Sequence, residues 1–232
     1  MLLIKFQKEN RLAPMKQGIF HFRPTQSFRD DPSSCRGDPM EGMVYGDPNS
    51  SFQIEGVEIS KWIESIVWSK EYKGNILSLS LFQLNAENCH EIEKGVYCPN
   101  ADAVEMMKDF GSSFIIMNSK QLITSLKVAL SDRKCNYEYH PIHYCDIKDH
   151  GAVRQFFQDM KKEKSLYPEF FLKDRTTYGL QNEWRFLIHD IADEFPLTAN
   201  GGVNIHTPFR TQIPLFKTDD LTSLRVSKDF LL

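Results

Sequence analysis

Gln181-Asn182-Glu183-Trp184-Arg185 is the densest run of chemically useful side chains in the sequence. Residues 180–188 around it predict a strand, and on a strand positions i, i+2 and i+4 share a face. Gln181, Glu183 and Arg185 then line one side, and Asn182, Trp184 and Phe186 the other. An amide, a carboxylate and a guanidinium in a row offer hydrogen bonds of both senses to a polar ligand. The same run also fits a solvent-facing strand whose Glu183–Arg185 pair has little energetic consequence.

Ser78 and Ser80 place two hydroxyls on one face of an otherwise apolar strand, residues 75–82. Such hydroxyls bond to backbone or position a neighbouring carboxylate. A third constellation is Arg29…Arg36-Gly37-Asp38…Glu41-Gly42. Its glycines permit positive φ or close backbone approach. Arg29 and Arg36 suit a bidentate clamp on a pyrophosphate, and equally a salt-bridged loop that only orders itself. His140-x-x-His143-x-Cys145 has metal-ligand residue types. On a strand, however, the two histidines face opposite ways and Pro141 interrupts the run, so no metal is expected. The sequence contains no Walker A, G-x-G-x-x-G, G-x-S-x-G or H-E-x-x-H pattern.

The elements that must position these groups follow from hydrophobic period and punctuation. Short strands are expected at 2–6 and 19–23, around a helix at 11–17 that Gly18 stops. Turn chemistry fills 29–51, and a hairpin or meander is expected from 52 to 68. Helices are expected at 102–110, at 119–130 behind a Ser119 cap, and at 153–162. Strands are expected at 113–117 and 137–145. In the tail, 191–232, edge strands are expected near 203–205 and 211–216. No repeat or linker divides the chain, which predicts one α+β domain over 1–232, of mixed, mostly antiparallel sheet with flanking helices.

With 232 residues, 41% apolar and 25% charged, the composition is that of a globular chain. A net charge of −3 gives no global basic field of the kind that grips duplex phosphates. Five scattered cysteines without a C-x-x-C pair predict reduced thiols and a cytoplasmic location. No apolar run reaches ~18 residues, so no membrane partner is expected.

Four pieces together resemble a family of bacterial and phage proteins: the opening from Leu3 to Gly18 with the strand leading to Ser27-Phe28-Arg29-Asp30; Arg36-Gly37-Asp38-x-x-Glu41-Gly42; Phe110-Gly111; and Lys173…Gln181-x-Glu183-Trp184-Arg185. The likeness covers about residues 2–190 and leaves the tail outside it. That layout is in turn similar to ADP-ribosyltransferases, including nucleic-acid-modifying toxins. Those proteins carry an Arg or His on a first strand, Ser-x-Ser on a second and Gln-x-Glu on a third. The resemblance implies an ADP-ribosyltransferase-like fold, with Glu183 and Gln181 as catalytic residues and Ser78 and Ser80 beside NAD. Lys5 stands at the first-strand position, so Arg23, Arg29 or Arg36 are the further residues expected to contact NAD. It further implies a toxin or phage-defence effector acting on RNA, DNA or protein, with an antitoxin as a potential partner. A binding module on the same fold without turnover is the alternative.

Overall fold

In Leu77-Ser78-Leu79-Ser80-Leu81-Phe82 every second side chain is a leucine, and burying that row fixes which way the whole central sheet faces. The computed structural model describes residues 1–31, 37–46, 53–54, 57–58, 66–69, 76–191 and 195–231. Among them, eight strands form the main sheet: β1 (Leu2–Gln7), β2 (Ile19–Pro24), β3 (Leu77–Leu84), β4 (Ser113–Asn118), β5 (Asn136–Pro141), β6 (Glu183–His189), β7 (Val203–His206) and β8 (Phe216–Lys217). The main path runs β5–β6–β3–β1–β4–β8, and every pairing in it is antiparallel. Four helices of eight residues or more flank it: α1 (Glu9–Lys16), α2 (Ala101–Lys108), α3 (Ser119–Leu130) and α4 (His150–Lys162). The chain is therefore α+β with mostly antiparallel sheets, as the hydrophobic period implies.

The leucine row of β3 joins Phe20 and Phe22 of β2, Trp184, Phe186 and Ile188 of β6, and Val203 and Ile205 of β7 in one apolar face. Leu122, Leu126 and Leu130 of α3 cover it. Burying a side chain of this size contributes roughly 1.5–3 kcal/mol, so this face dictates register. Asn118, not Ser119, caps α3: its Oδ1 accepts from the Gln121 amide at 3.1 Å. By alternation the opposite face of β2, β3, β6 and β7 carries the polar residues Ser78, Ser80, Glu183 and Arg185, together with Phe82 and Leu187, which enter the smaller cores.

The sheet forks along β3. One edge of β3 is taken by β6, with Arg185 opposite Ser80. The other edge is shared: β1 pairs with residues 82–84 and β2 with 77–78. Between those two pairings, residues 79–81 lie at the base of a cleft with α1 on its far side.

Two smaller cores flank the sheet. Ile4, Phe6, Phe82, Phe114 and α2 pack toward the small sheet of Cys89–Glu93, Val96–Pro99 and Val226–Ser227. Val153, Phe156 and Met160 of α4 pack on Phe170, Phe171 and Leu172. The stretch expected as one strand at 137–145 is β5 followed by His143–Cys145, which pairs in parallel with Leu172–Asp174. Of the expected meander at 52–68, Gln53–Ile54 pairs with Val57–Glu58, and Met43–Gly46 pairs with Ile66–Ser69; the rest lies outside the described residues. No helix of the described residues is long and apolar enough to cross a membrane.

Candidate functional site

Glu183 is the first residue of β6, and the chain reaches it through a kink. The strand predicted over 180–188 begins only at 183, because Gly179–Gln181 forms a 3-10 turn and Asn182 adopts left-handed backbone at φ 41. Asparagine tolerates that conformation better than most residues. Gln181 and Glu183 therefore do not share a strand face, yet both line the same cavity. The Glu183 backbone N–H donates to the Tyr144 hydroxyl at 2.9 Å, and its carbonyl accepts from Ile142 N–H at 2.8 Å, which fixes the start of the strand.

Both carboxylate oxygens of Glu183 are engaged. Oε2 lies 2.8 Å from Lys173 Nζ, and Oε1 lies 2.7 Å from Arg185 Nη2 and 2.8 Å from Nε. The Ser80 hydroxyl is near enough to favour the ionised carboxylate further. Burial alone would raise this carboxyl's pKa, but the Arg185 and Lys173 charges outweigh it and hold Glu183 far below the usual carboxylate range. Lys173 is buried, donates to Gln181 Oε1 at 3.2 Å and sits 5.0 Å from the Tyr178 ring centroid.

Arg185, 1% exposed, carries the constellation inward. It forms an ion pair with Glu41 through Nη1 and donates to the Phe170 carbonyl at 2.6 Å. Two carboxylates hold its guanidinium charged against a strong burial penalty. Glu41 is pushed upward by burial despite the charges of Arg185 and Lys173. The Gly37–Gly42 stretch is thus an anchor. The Tyr178 hydroxyl donates to the Gly37 carbonyl at 3.0 Å, and Asp38 Oδ1 accepts from the Met40 amide at 2.9 Å. Gly42 has φ 65, and a Cβ there would fall 2.4 Å from the Phe170 ring.

The cavity in the fork measures about 890 Å³. Glu183, Gln181, Lys173, Ser78, Ser80, Lys5 and Arg23 all contribute to its wall. Lys5 reaches across the fork and donates to the Ser80 carbonyl at 2.6 Å. The Ser78 and Ser80 hydroxyls are 3.4 Å apart. Arg23 stacks on Phe28 at 4.9 Å and lies 3.8 Å from Asp31. Among the described residues of the lining, Lys5, Arg11, Arg23 and Lys173 stand with two carboxylates, Asp31 and Glu183, so this part of the wall is cationic in a chain whose net charge is −3. Such a wall favours an anion.

Arg29, among the expected cofactor contacts, stands outside the described cavity lining, and its Nε donates to the Glu41 carbonyl at 2.6 Å, which ties it to the anchor loop. Arg36 lies outside the described residues. Trp184 is buried in the α3-facing core, and the Tyr178 hydroxyl donates to the Gly37 carbonyl. His143 stacks on Phe156 at 5.0 Å while His140 faces Glu163 at 3.4 Å, and no metal-sized group of ligands occurs among the described residues.

Sequence reasoning missed the role of Lys173. Its signal was a single lysine closing the apolar run Phe170-Phe171-Leu172. It also missed His21, Asn204 and His206, which line the cavity from β2 and β7. Comparison of the chain with family models, with curated proteins and with solved structures finds no match.

Proposed function

We propose that the chain binds NAD in the fork and transfers its ADP-ribose to an acceptor, on an ADP-ribosyltransferase-like fold, as a toxin or defence effector. RNA is the favoured acceptor, with DNA and protein the others. The observation that carries this reading is an ionised carboxylate, Glu183, held beside the Ser80 hydroxyl in the wall of a cationic cavity. The volume is in the range of cofactor sites, and Lys5, Arg23 and Lys173 supply the positive charge a pyrophosphate requires.

In the reaction the bond between the ribose C1′ and the nicotinamide nitrogen breaks, and its electron pair leaves with nicotinamide. The ribosyl group acquires oxocarbenium character, as in glycoside cleavage. Glu183 accepts a hydrogen bond from a ribose hydroxyl and stabilises that charge more in the transition state than in the ground state. A carboxyl held so far ionised is a poor proton acceptor. Glu183 therefore acts through charge, and the acceptor's proton leaves to water. Gln181 orients the acceptor, and Ser80 holds the carboxylate.

Binding without turnover is the second reading, with a nucleic acid or a protein as partner. Two observations favour it: Lys173 and Arg185 neutralise much of Glu183's charge, and Lys5 is engaged by the Ser80 carbonyl. Incubation of the purified chain with labelled NAD and separate RNA, DNA and protein extracts separates the two. Label transfer that disappears in Glu183→Gln supports the enzyme, and undiminished transfer in a folded Glu183→Gln protein rules it out. Bound NAD with neither transfer nor nicotinamide release selects the second reading.

A further inference from the structure

The cavity has a second polar end, for which the reaction above provides no task. From Arg23, beside Ser78, β2 runs back to Ile19, and β7 lies along it with Asn204 opposite His21 and His206 opposite Ile19. Phe20, Phe22, Val203 and Ile205 point into the core, which leaves His21, Asn204 and His206 on the cavity side. Asn10 and Arg11 of α1 close this end. His21 Nδ1 and Asn204 Oδ1 are 2.9 Å apart, a contact that holds the amide by its oxygen and leaves its NH₂ to donate elsewhere.

At ~3.3 Å per strand residue, His21 lies about 7 Å along β2 from Arg23, and Ile19 about 13 Å. Across the sheet the order is then Glu183 of β6, Ser80 of β3, Arg23 and His21 of β2, and Asn204 of β7. A pyrophosphate at Lys5 and Arg23 places the next nucleoside against the β2–β7 end. We infer that this end is a subsite for the adenosine half of an adenine nucleotide. Asn204 and the two imidazoles read the edge of the base, and Arg11 counters phosphate charge. Adenine presents an amino donor beside a ring nitrogen acceptor, the pattern an asparagine amide meets in bidentate fashion. None of the five side chains named here is acidic, so the end suits an anionic ligand. The inference rests on the reading of the fork as a dinucleotide site, and it gives a task to the segment 191–232, which the family resemblance leaves uncovered.

Titration calorimetry of the full chain with ADP, GDP and NAD tests it. ADP and NAD are expected to bind, with ADP at least tenfold tighter than GDP. Asn204→Ala combined with His206→Ala is expected to weaken both adenine ligands at least tenfold. Both side chains are exposed, and an unchanged thermal midpoint identifies the effect as local. No ADP binding, equal ADP and GDP affinities, or unchanged ADP affinity in the variant overturns the subsite. ADP binding that meets these expectations, with no nicotinamide released from NAD, upholds the subsite and removes the transfer reaction instead.

Discussion

Arg185 and Glu41 are 144 positions apart in sequence and form an ion pair whose side chains are 1% and 2% exposed. The pair joins the loop at 37–42 to the strand that begins with Glu183, so the position of the candidate catalytic carboxylate depends on a distant segment. Removing one partner of a buried pair leaves an uncompensated charge, which costs about 3–5 kcal/mol. Glu41→Gln is expected to lower stability by that order, read from urea unfolding. A loss under 1 kcal/mol would mean that the pair does not anchor the loop.

Gly42 gives a subtler test of the same anchor. Alanine there meets both an unfavourable φ and the Phe170 ring, and Phe170 supplies the carbonyl that Arg185 uses. Gly42→Ala is expected to cost more than about 1 kcal/mol and to raise hydrogen exchange at Phe170 and Arg185. Wild-type exchange at both amides would contradict the coupling.

Acid stability separates the two carboxylates that share Arg185. The pKa of Glu183 is lowered in the folded chain, so its contribution is present above the unfolded value and is lost as pH falls below it. The pKa of Glu41 is raised, which gives the opposite slope. Between about pH 4.3, the ordinary glutamate value, and more acid conditions, Glu183→Gln should flatten the fall in stability. Glu41→Gln should steepen the slope at and above that value. Identical slopes in both variants would exclude this division of roles.

His189 governs the neutral range. Its Nδ1 lies 2.9 Å from Asp190 and its Nε2 3.4 Å from Glu138, while Tyr167 packs on the ring at 4.5 Å. Burial would lower its pKa, but the two carboxylates raise it above 6.5. A raised value means stability that is complete below 6.5 and declines as pH rises through the folded value. The thermal midpoint should fall from pH 6 to pH 8 in the wild type and change less in His189→Gln. Parallel profiles would show that the imidazole is neutral throughout.

The fold was legible wherever alternation was strict. The Leu-x-Leu-x-Leu row at 77–81 and the Trp184, Phe186, Ile188 row pack in one core, and a slip of one residue would turn each row toward the opposite face. Legibility failed at Asn182, where a left-handed residue without a neighbouring glycine breaks the strand ahead of Glu183. Gln181 still reaches the cavity, but through a 3-10 turn and Lys173, contacts that no local period encodes. The partners of Arg185 were equally hidden. Glu41 and Phe170 are close only after the chain has folded, and the arginine-rich loop reads the same whether it clamps a ligand or an internal glutamate.

The fork has a mechanical consequence. Among the described residues, β2 joins β3 through two residue pairs, Arg23 with Ser78 and Pro24 with Leu77, and proline has no N–H to give to such a seam. The leaf made of β2 and β7 therefore hangs from a seam far shorter than the six pairs that join β1 to β4 on the other flank. With so short a seam, the leaf is held mainly by its apolar face, where Phe20, Phe22, Val203 and Ile205 are buried in the main core.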